Sequence, residues 1–309
     1  MKLDVKLNAV PGQRTPVQPV SVLAVSQESK AEWRRAIWRD VGSAIFIVVA
    51  LLWLTPAFWA LATSLKITPN ILLPVPYWLP IPIALDQYIE VLSGTRTVSA
   101  TVAVANSAIV AVLTTFATVF ICTLTAYPLA RMEFPGRNLV FGIIVGSMMV
   151  PGVITIVPLY LLMVKLGWLN SYQALIVPSI ASAFGVFLLR QFFLSLPVEL
   201  EDAARIDGAN SWTILTGLLL PLSKPALGAL ALFTFQATWN DFTWPLIVMT
   251  KQDRLTLPVA LSLIRGDYAN DSFGPIMAGA VISAIPLLVV FIVANRQIIE
   301  GVQFSGLKM

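Results

Sequence analysis

The residues best suited to chemistry are few and unevenly placed. The 309-residue chain has no His and a single Cys, Cys122. That removes imidazole catalysis, His-ligated metals, multi-thiolate metal sites and internal disulfides. No G-x-x-x-x-G-K-[ST] sequence is present, so the chain lacks its own loop for cradling nucleotide phosphates. What stands out is one polar stretch, LSLPVELEDAARIDGANSWTILTGLLLPLSKPAL, from Leu194 to Leu227. It carries Glu199, Glu201, Asp202 and Asp207 around the small residues Ala203 and Ala204. Acids beside small apolar residues, with no base or nucleophile at hand, suit contact with another surface. A solvated amphipathic connector has the same pattern. A second candidate is Asp241, the one ionisable residue inside a long apolar run, flanked by Trp239, Asn240, Phe242 and Trp244. Buried charge in a membrane is costly and normally faces a cavity or a partner. These neighbours stack on and hydrogen-bond to sugars, and they equally form an interfacial aromatic belt.

The elements that must position these residues are set by composition. The chain is 57% hydrophobic and 12% charged, with mean hydropathy +0.82. A soluble domain carries about 25% charged residues, so a soluble enzyme is excluded. Uncharged runs long enough to cross about 30 Å of hydrocarbon occur at Val41–Ala62, Thr101–Ala130, Leu139–Val164, Pro225–Thr250 (broken by Asp241) and Ser272–Asn295, with a shorter one at Tyr172–Leu189. Six spans place both termini on one side. With the N-terminus inside, fourteen of the twenty Lys and Arg are cytoplasmic, as the positive-inside rule requires. The net charge of +4 therefore reports topology, not nucleic-acid binding. The prediction is an all-α integral membrane protein with a cytoplasmic tail over 1–40, a six-span domain over 41–296, a polar loop at 195–212 and a cytoplasmic tail over 297–309. Residues 1–27 read as a disordered tail, too long and polar for a signal peptide. Glu28–Asp40 reads either as an interfacial helix, with Trp33, Ile37 and Trp38 on one face, or as an extension of the first span.

Within the polar loop, Pro197 suits a first helical position and Glu199 and Glu201 suit the first turns. Leu200, Ala203 and Ala204 share a face at helical spacing. Gly208 permits a left-handed stop, and Asn210 or Ser211 can cap a second helix. The loop thus predicts a short helix, a bend and a second helix outside the bilayer.

This stretch resembles the EAA motif of binding-protein-dependent ABC transporter permeases, which reads EAA, three residues, G, nine residues, I-x-L-P. Asp202, Ala203, Ala204, Gly208, Leu218, Leu220 and Pro221 hold those positions with every spacing kept; Asp202 replaces Glu and Leu218 replaces Ile. AYPLARMEFPGRN (Ala126–Asn138), PLYLLMVKLGWLNSYQALIVP (Pro158–Pro178), the Asn106-Ser107 and Trp239-Asn240 pairs and the C-terminal Ser305-Gly306-Leu307-Lys308 are similar to the maltose-type, carbohydrate-uptake branch. The resemblance covers roughly residues 40–309 and implies the type I ABC importer permease fold in a bacterial or archaeal inner membrane. It also implies a non-catalytic half-channel whose partners are a second permease, two cytoplasmic ATPase subunits that bind ATP and Mg, and an external solute-binding protein. No cofactor and no metal is expected in this chain. Glu201, Asp202, Ala203, Ala204, Asp207, Gly208, Leu220 and Pro221 are then the ATPase-coupling residues, with Gly208 holding the bend. Ser305, Gly306, Leu307 and Lys308 are tail-docking residues or a disordered end. Trp239, Asn240 and Asp241 are candidates for the substrate pathway. No basic group lies deep in any span, which favours a neutral solute. The alternative cargo for the same architecture is a polyol, a sugar phosphate or an oligosaccharide acid; a self-contained channel or secondary carrier is the rival class, but it leaves the acidic loop unexplained.

Overall fold

In the computed structural model the backbone of residues 22–67, 78–94, 98–267 and 273–306 is described, with side chains between 38 and 294. Among these residues every regular element is helical. Helix α1, Val22–Ser64, runs unbroken through Asp40. Residues 28–40 are therefore an extension of the first apolar run, not a separate surface helix, and the helical backbone reaches back to residue 22 inside the stretch expected to be disordered. Residues 1–21 lie outside the described residues. From Trp38 to Phe58 the helix buries nothing, leaving Phe46 78% and Trp53 81% exposed, whereas Ala62, Thr63 and Ser64 at its end are buried. Leaving such side chains in water forgoes about 1.5–3 kcal/mol each, so this surface belongs against lipid or protein.

The rest of the chain, from Trp59 on, forms a second compact unit. It begins with short α2, Asp86–Ser93, and 32-residue α3, Ala100–Arg131. Then come α4, Arg137–Ser147, and α5, Gly152–Leu166, bent 95° from each other. Pro151 sits at the break, and a residue before proline is pushed out of helical geometry; the run Leu139–Val164 is thus two helices, not one. Short α6, Tyr172–Ile176, continues through a 3₁₀ turn into α7, Ala183–Ser195, with a 41° bend. Helix α8, Glu199–Ile206, follows after Leu196, Pro197 and Val198. Helix α9, Ser211–Leu222, contains a π-helical segment at Ile214–Leu219 and turns 77° into α10, Lys224–Trp239. The expected fifth span ends there, because polar Asn240 and Asp241 break it before α11, Thr243–Val248. Helix α12, Leu257–Asp267, precedes α13, Gly274–Gly306, so Ser305 and Gly306 continue a helix. Leu307 and Lys308 lie outside the described residues. Three helices are long and apolar enough to cross a bilayer, or six if each bent pair is one span.

Helix α3 is the axis of this unit: α7 and α10 pack on it most extensively. Two hydrophobic clusters lie at opposite ends of α3. One joins Ala103, Val110 and Ala111 to Phe235, Trp239, Leu257 and Ala260. The other joins Cys122, Ala126 and Tyr127 to Leu189, Phe193, Ile214, Leu215 and Leu219. Close approach explains Gly185: a Cβ there would lie 2.7 Å from Cys122 Sγ and 3.1 Å from Leu230 Cδ1.

Candidate functional site

The polar loop folds as its residues dictate. Helix α8 starts after Pro197 and Val198, with Glu199, Glu201 and Asp202 in its first turn, where the helix dipole favours acids. It ends in a Schellman motif. Gly208 N–H donates to Arg205 O (3.0 Å) and Ala209 N–H to Ala204 O (2.9 Å), while Gly208 takes φ +86°. A Cβ on Gly208 would meet nothing within 4 Å. The glycine is thus needed for its backbone angle, not for space. Asn210 caps α9, its Oδ1 accepting from Thr213 N–H at 2.8 Å.

The exposed face of α8 holds part of the expected set, with Leu200 also exposed. Asp202, Ala203, Asp207 and Gly208 include the expected contact residues; Asp202, Asp207 and Gly208 are exposed, as is Ala203. Ala204 is half-buried against Ile214 and its neighbours, with Leu218 and Leu220 beside it. The outward apolar side chain is Ile206, 86% exposed, with Val198 and Trp212 exposed nearby. Pro221 is exposed at the end of α9.

Glu201 is turned inward. Its Oε1 lies 2.7 Å from Arg131 Nε, with the two side chains 2% and 6% exposed. The contact is an ion pair without hydrogen-bond geometry, and neither atom makes a hydrogen bond within the chain. Arg205 approaches Glu201 Oε2 at 3.8 Å from the surface. Removing one member of such a buried pair strands the other and costs about 3–5 kcal/mol. Arg131, the last residue of α3, also donates from Nη2 to Leu196 O, the carbonyl that ends α7 (2.7 Å). In return Arg190 of α7 donates from Nε to Leu129 O near the end of α3 (3.0 Å), its guanidinium 3.9 Å from the Phe141 ring centroid. Each arginine satisfies a terminal carbonyl of the other helix, where the dipole favours a cation. In the sequence these arginines count only as topology signals. The available clue is an Arg closing an apolar helix beside an acidic loop.

The second site is a cavity of about 470 Å³ between α3, α10 and the α6–α7 bend. Hydroxyls of Ser107, Thr118, Ser179, Ser182, Thr234, Thr238 and Thr256 line it, with Phe184, Phe233 and Asp241. The two phenyl rings meet edge-on at 6.2 Å. Buried Thr256 Oγ1 has no partner in the chain. Asp241 is half-buried, with Trp244 N–H 3.5 Å from its Oδ1. No Lys or Arg is among the lining residues. Of the three pathway candidates only Asp241 belongs here. Trp239 is 1% exposed, stacks on Phe235 and donates from Nε1 to Ser283 O at 3.1 Å, joining α10 to α13. Asn240 is exposed and does not line the cavity.

Opposite the polar loop, Asn106 near the start of α3 donates from Nδ2 to Asp253 O and Leu255 O, and accepts from Tyr172 O–H (2.7 Å). Ser107 Oγ accepts from Leu257 N–H (2.7 Å). The Asn-Ser pair noted in the sequence thus ties α3 to the loop before α12. No group of three or more His, Cys, Asp or Glu among the described residues could hold a metal ion.

Residues 122–300 match the family model described as binding-protein-dependent transport system inner membrane component. The chain is 33% identical over 276 residues to the arabinooligosaccharides transport system permease protein AraQ of Bacillus subtilis, covering 88% of this chain and 97% of that one. It is 36% identical over 265 residues to the trehalose/maltose transport system permease protein MalG of Thermococcus litoralis, covering 85% and 94%. A solved structure of a bacterial ABC transporter involved in the import of the acidic polysaccharide alginate matches with TM-score 0.73 and 25% identity, over 84% of this chain and 96% of that one.

Proposed function

The chain belongs to the family of binding-protein-dependent transport inner-membrane components, and we propose that it is a permease subunit of an ATP-driven importer of a neutral sugar or oligosaccharide. The observation that carries the coupling role is α8 itself. It is a short helix, closed by Gly208, that presents Asp202, Ala203 and Ile206 outward while Glu201 fastens it to α3. In this reading two cytoplasmic ABC ATPase subunits, which bind ATP and Mg, receive α8 in a groove. Asp202 pairs with a donor there, and Leu220 and Pro221 belong to the same coupling segment, where α9 turns into α10. Ser305–Lys308 docks on the same partners. The chain itself hydrolyses nothing.

A second, homologous permease completes the pathway, and an external binding protein delivers the solute. The chain crosses the inner membrane six times, with both termini cytoplasmic. The sugar reading draws on the names of the relatives and on the hydroxyl-lined cavity with its two phenyl rings. A carboxylate with no cation beside it favours an uncharged cargo over an anionic one.

The test is purification from its native membrane in a mild detergent, with mass spectrometry of what accompanies the chain. An ABC ATPase and a second permease are expected. A chain that runs alone after cross-linking overturns the reading and favours a self-contained channel or carrier.

A further inference from the structure

We infer that Arg131 and Glu201 are positioning residues that make α8, α3 and α7 one rigid body, so that motion at the docking helix moves α3 and α7 together. The inference rests on the coupling role proposed above for α8 and specifies where its displacement goes.

Three contacts carry it. The Arg131 Nε–Glu201 Oε1 pair joins α3 to α8. Arg131 Nη2 reaches Leu196 O, so the same guanidinium also holds the end of α7. Arg190 returns the bond from α7 to Leu129 O of α3. A planar guanidinium can hold an acid and a carbonyl at once in a fixed fork, which a single ammonium cannot do. The Arg131–Glu201 pair is buried and the two carbonyl contacts are partly buried, so salt screens the ion pair weakly.

Length supports the same conclusion. Only Leu196, Pro197 and Val198 separate α7 from α8, and the carbonyl of Leu196 is held, so the joint has little freedom. On the other side, α8 passes into α9 through Gly208 and an exposed Asn210 cap, then through a π-helical segment and a 77° turn at Ser223. Ile214, Leu215 and Leu219 of that segment are buried with α3 and α7, so the joints left on the α10 side are Gly208, the Asn210 cap and the turn at Ser223. Since α3 and α7 line the cavity through Thr118 and Phe184 while α10 lines it through Thr234 and Thr238, a push on α8 changes the spacing of these walls.

The experiment uses the assembled complex purified with its partner subunits. Spin labels go on Glu199→Cys and Phe116→Cys, on the exposed surfaces of α8 and α3, and on Glu199→Cys and Val293→Cys as the reference pair. Distances are measured before and after adding ATP, Mg and vanadate. The 199–116 distance is expected to stay constant while 199–293 shifts. In the E201Q background the 199–116 distance is expected to change or broaden on nucleotide addition, with the ATPase still co-purifying in wild-type amount. Solute moved per ATP falls by about tenfold, within the usual span of coupling between sites. R131K, which keeps the charge but loses the fork, is the second variant if E201Q fails to fold, and it is expected to give the same broadening. A 199–116 distance that shifts with 199–293 in the wild type, or that stays fixed in E201Q or R131K, overturns the inference and leaves the permease reading standing. Absence of an ATPase from the wild-type complex, with no distance responding to nucleotide, overturns that reading itself.

Discussion

Two glycines illustrate how differently single residues can matter. Gly208 sits at φ +86° in open space, and Gly185 is wedged against Cys122 and Leu230. Gly208→Val forces a β-branched residue into the left-handed region, at a cost of about 1–2 kcal/mol. It shifts the end of α8 with no clash to unseat the core. The expected outcome is a protein that still inserts and folds but transports poorly, read as uptake against the amount of folded protein in the membrane; unchanged uptake would remove the bend from the mechanism. Gly185→Leu overpacks the α3–α7 contact, at a cost of about 1–3 kcal/mol, so it lowers the thermal midpoint of the purified protein. The spacing from Asp202 identifies Gly208 in the sequence, yet nothing there singles out Gly185, because close approach of two distant helices leaves no local pattern. Asp241 is legible as a lone acid in an apolar run, whereas Trp239 reads as a sugar-stacking residue and is a packing residue. Trp serves both roles, and only the partner, here Ser283 O, distinguishes them. Hydrogen bonds to charged groups are worth about 1.5–3 kcal/mol. On the proposed role, Asp241→Asn reduces sugar uptake about tenfold or more while leaving subunit assembly intact, as measured by co-purification.

At the scale of elements, the sequence predicts α8 with its stop at Gly208 and a cap for the next helix at Asn210 or Ser211, of which the structure uses Asn210, because capping and stop signals are local. The orientation of α8 is not legible. Leu200, Ala203 and Ala204 look like the apolar face by spacing; Leu200 and Ala203 are exposed, but Ala204 is half-buried, and Glu201 is drawn inward by an arginine about seventy positions earlier in the chain. That single pairing rotates Ala204 toward the core and Ile206 out. The bent pair at Ser147–Gly152 escapes the sequence for another reason. A run of apolar residues reads as one span whether or not Pro151 breaks it, since membrane helices often keep their prolines. The corrected face makes a specific prediction: Ile206→Asp places a charge at the centre of the outward surface, where it disfavours docking without touching the core. It should abolish co-purification of the ATPase while the chain keeps its thermal midpoint. Retained capture would show that the contact lies elsewhere. Deleting Ser305–Met309 should weaken that association less, as a second contact on the same partner; wild-type assembly would return the tail to a disordered end.

For the molecule as a whole, sidedness follows from two independent arguments that can be set against each other. Charge counting predicts direction: with most Lys and Arg on one side of the six runs, the polar loop is expected on the cytoplasmic side. Geometry gives pairing of ends without reference to charge. Helix α3 has 32 residues, which at about 1.5 Å each exceeds a bilayer's hydrocarbon thickness. Its start is tied through Asn106 to Asp253 and Leu255, and its end through Arg131 to Leu196 and Glu201. The 251–254 loop and the 199–208 loop must therefore lie on opposite sides, while Glu133 and Asp207 share a side. The chain's one cysteine, Cys122, is fully buried, so introduced thiols can be read against a silent background. Lys251→Cys should react with a membrane-impermeant maleimide in intact cells, and Glu133→Cys and Asp207→Cys only after the membrane is opened. If all three labels reverse, the geometry survives and the charge argument fails. If Lys251→Cys and Asp207→Cys label from the same side, α3 does not cross the membrane, and the separation of cargo entrance from docking helix, on which the importer mechanism depends, is lost with it.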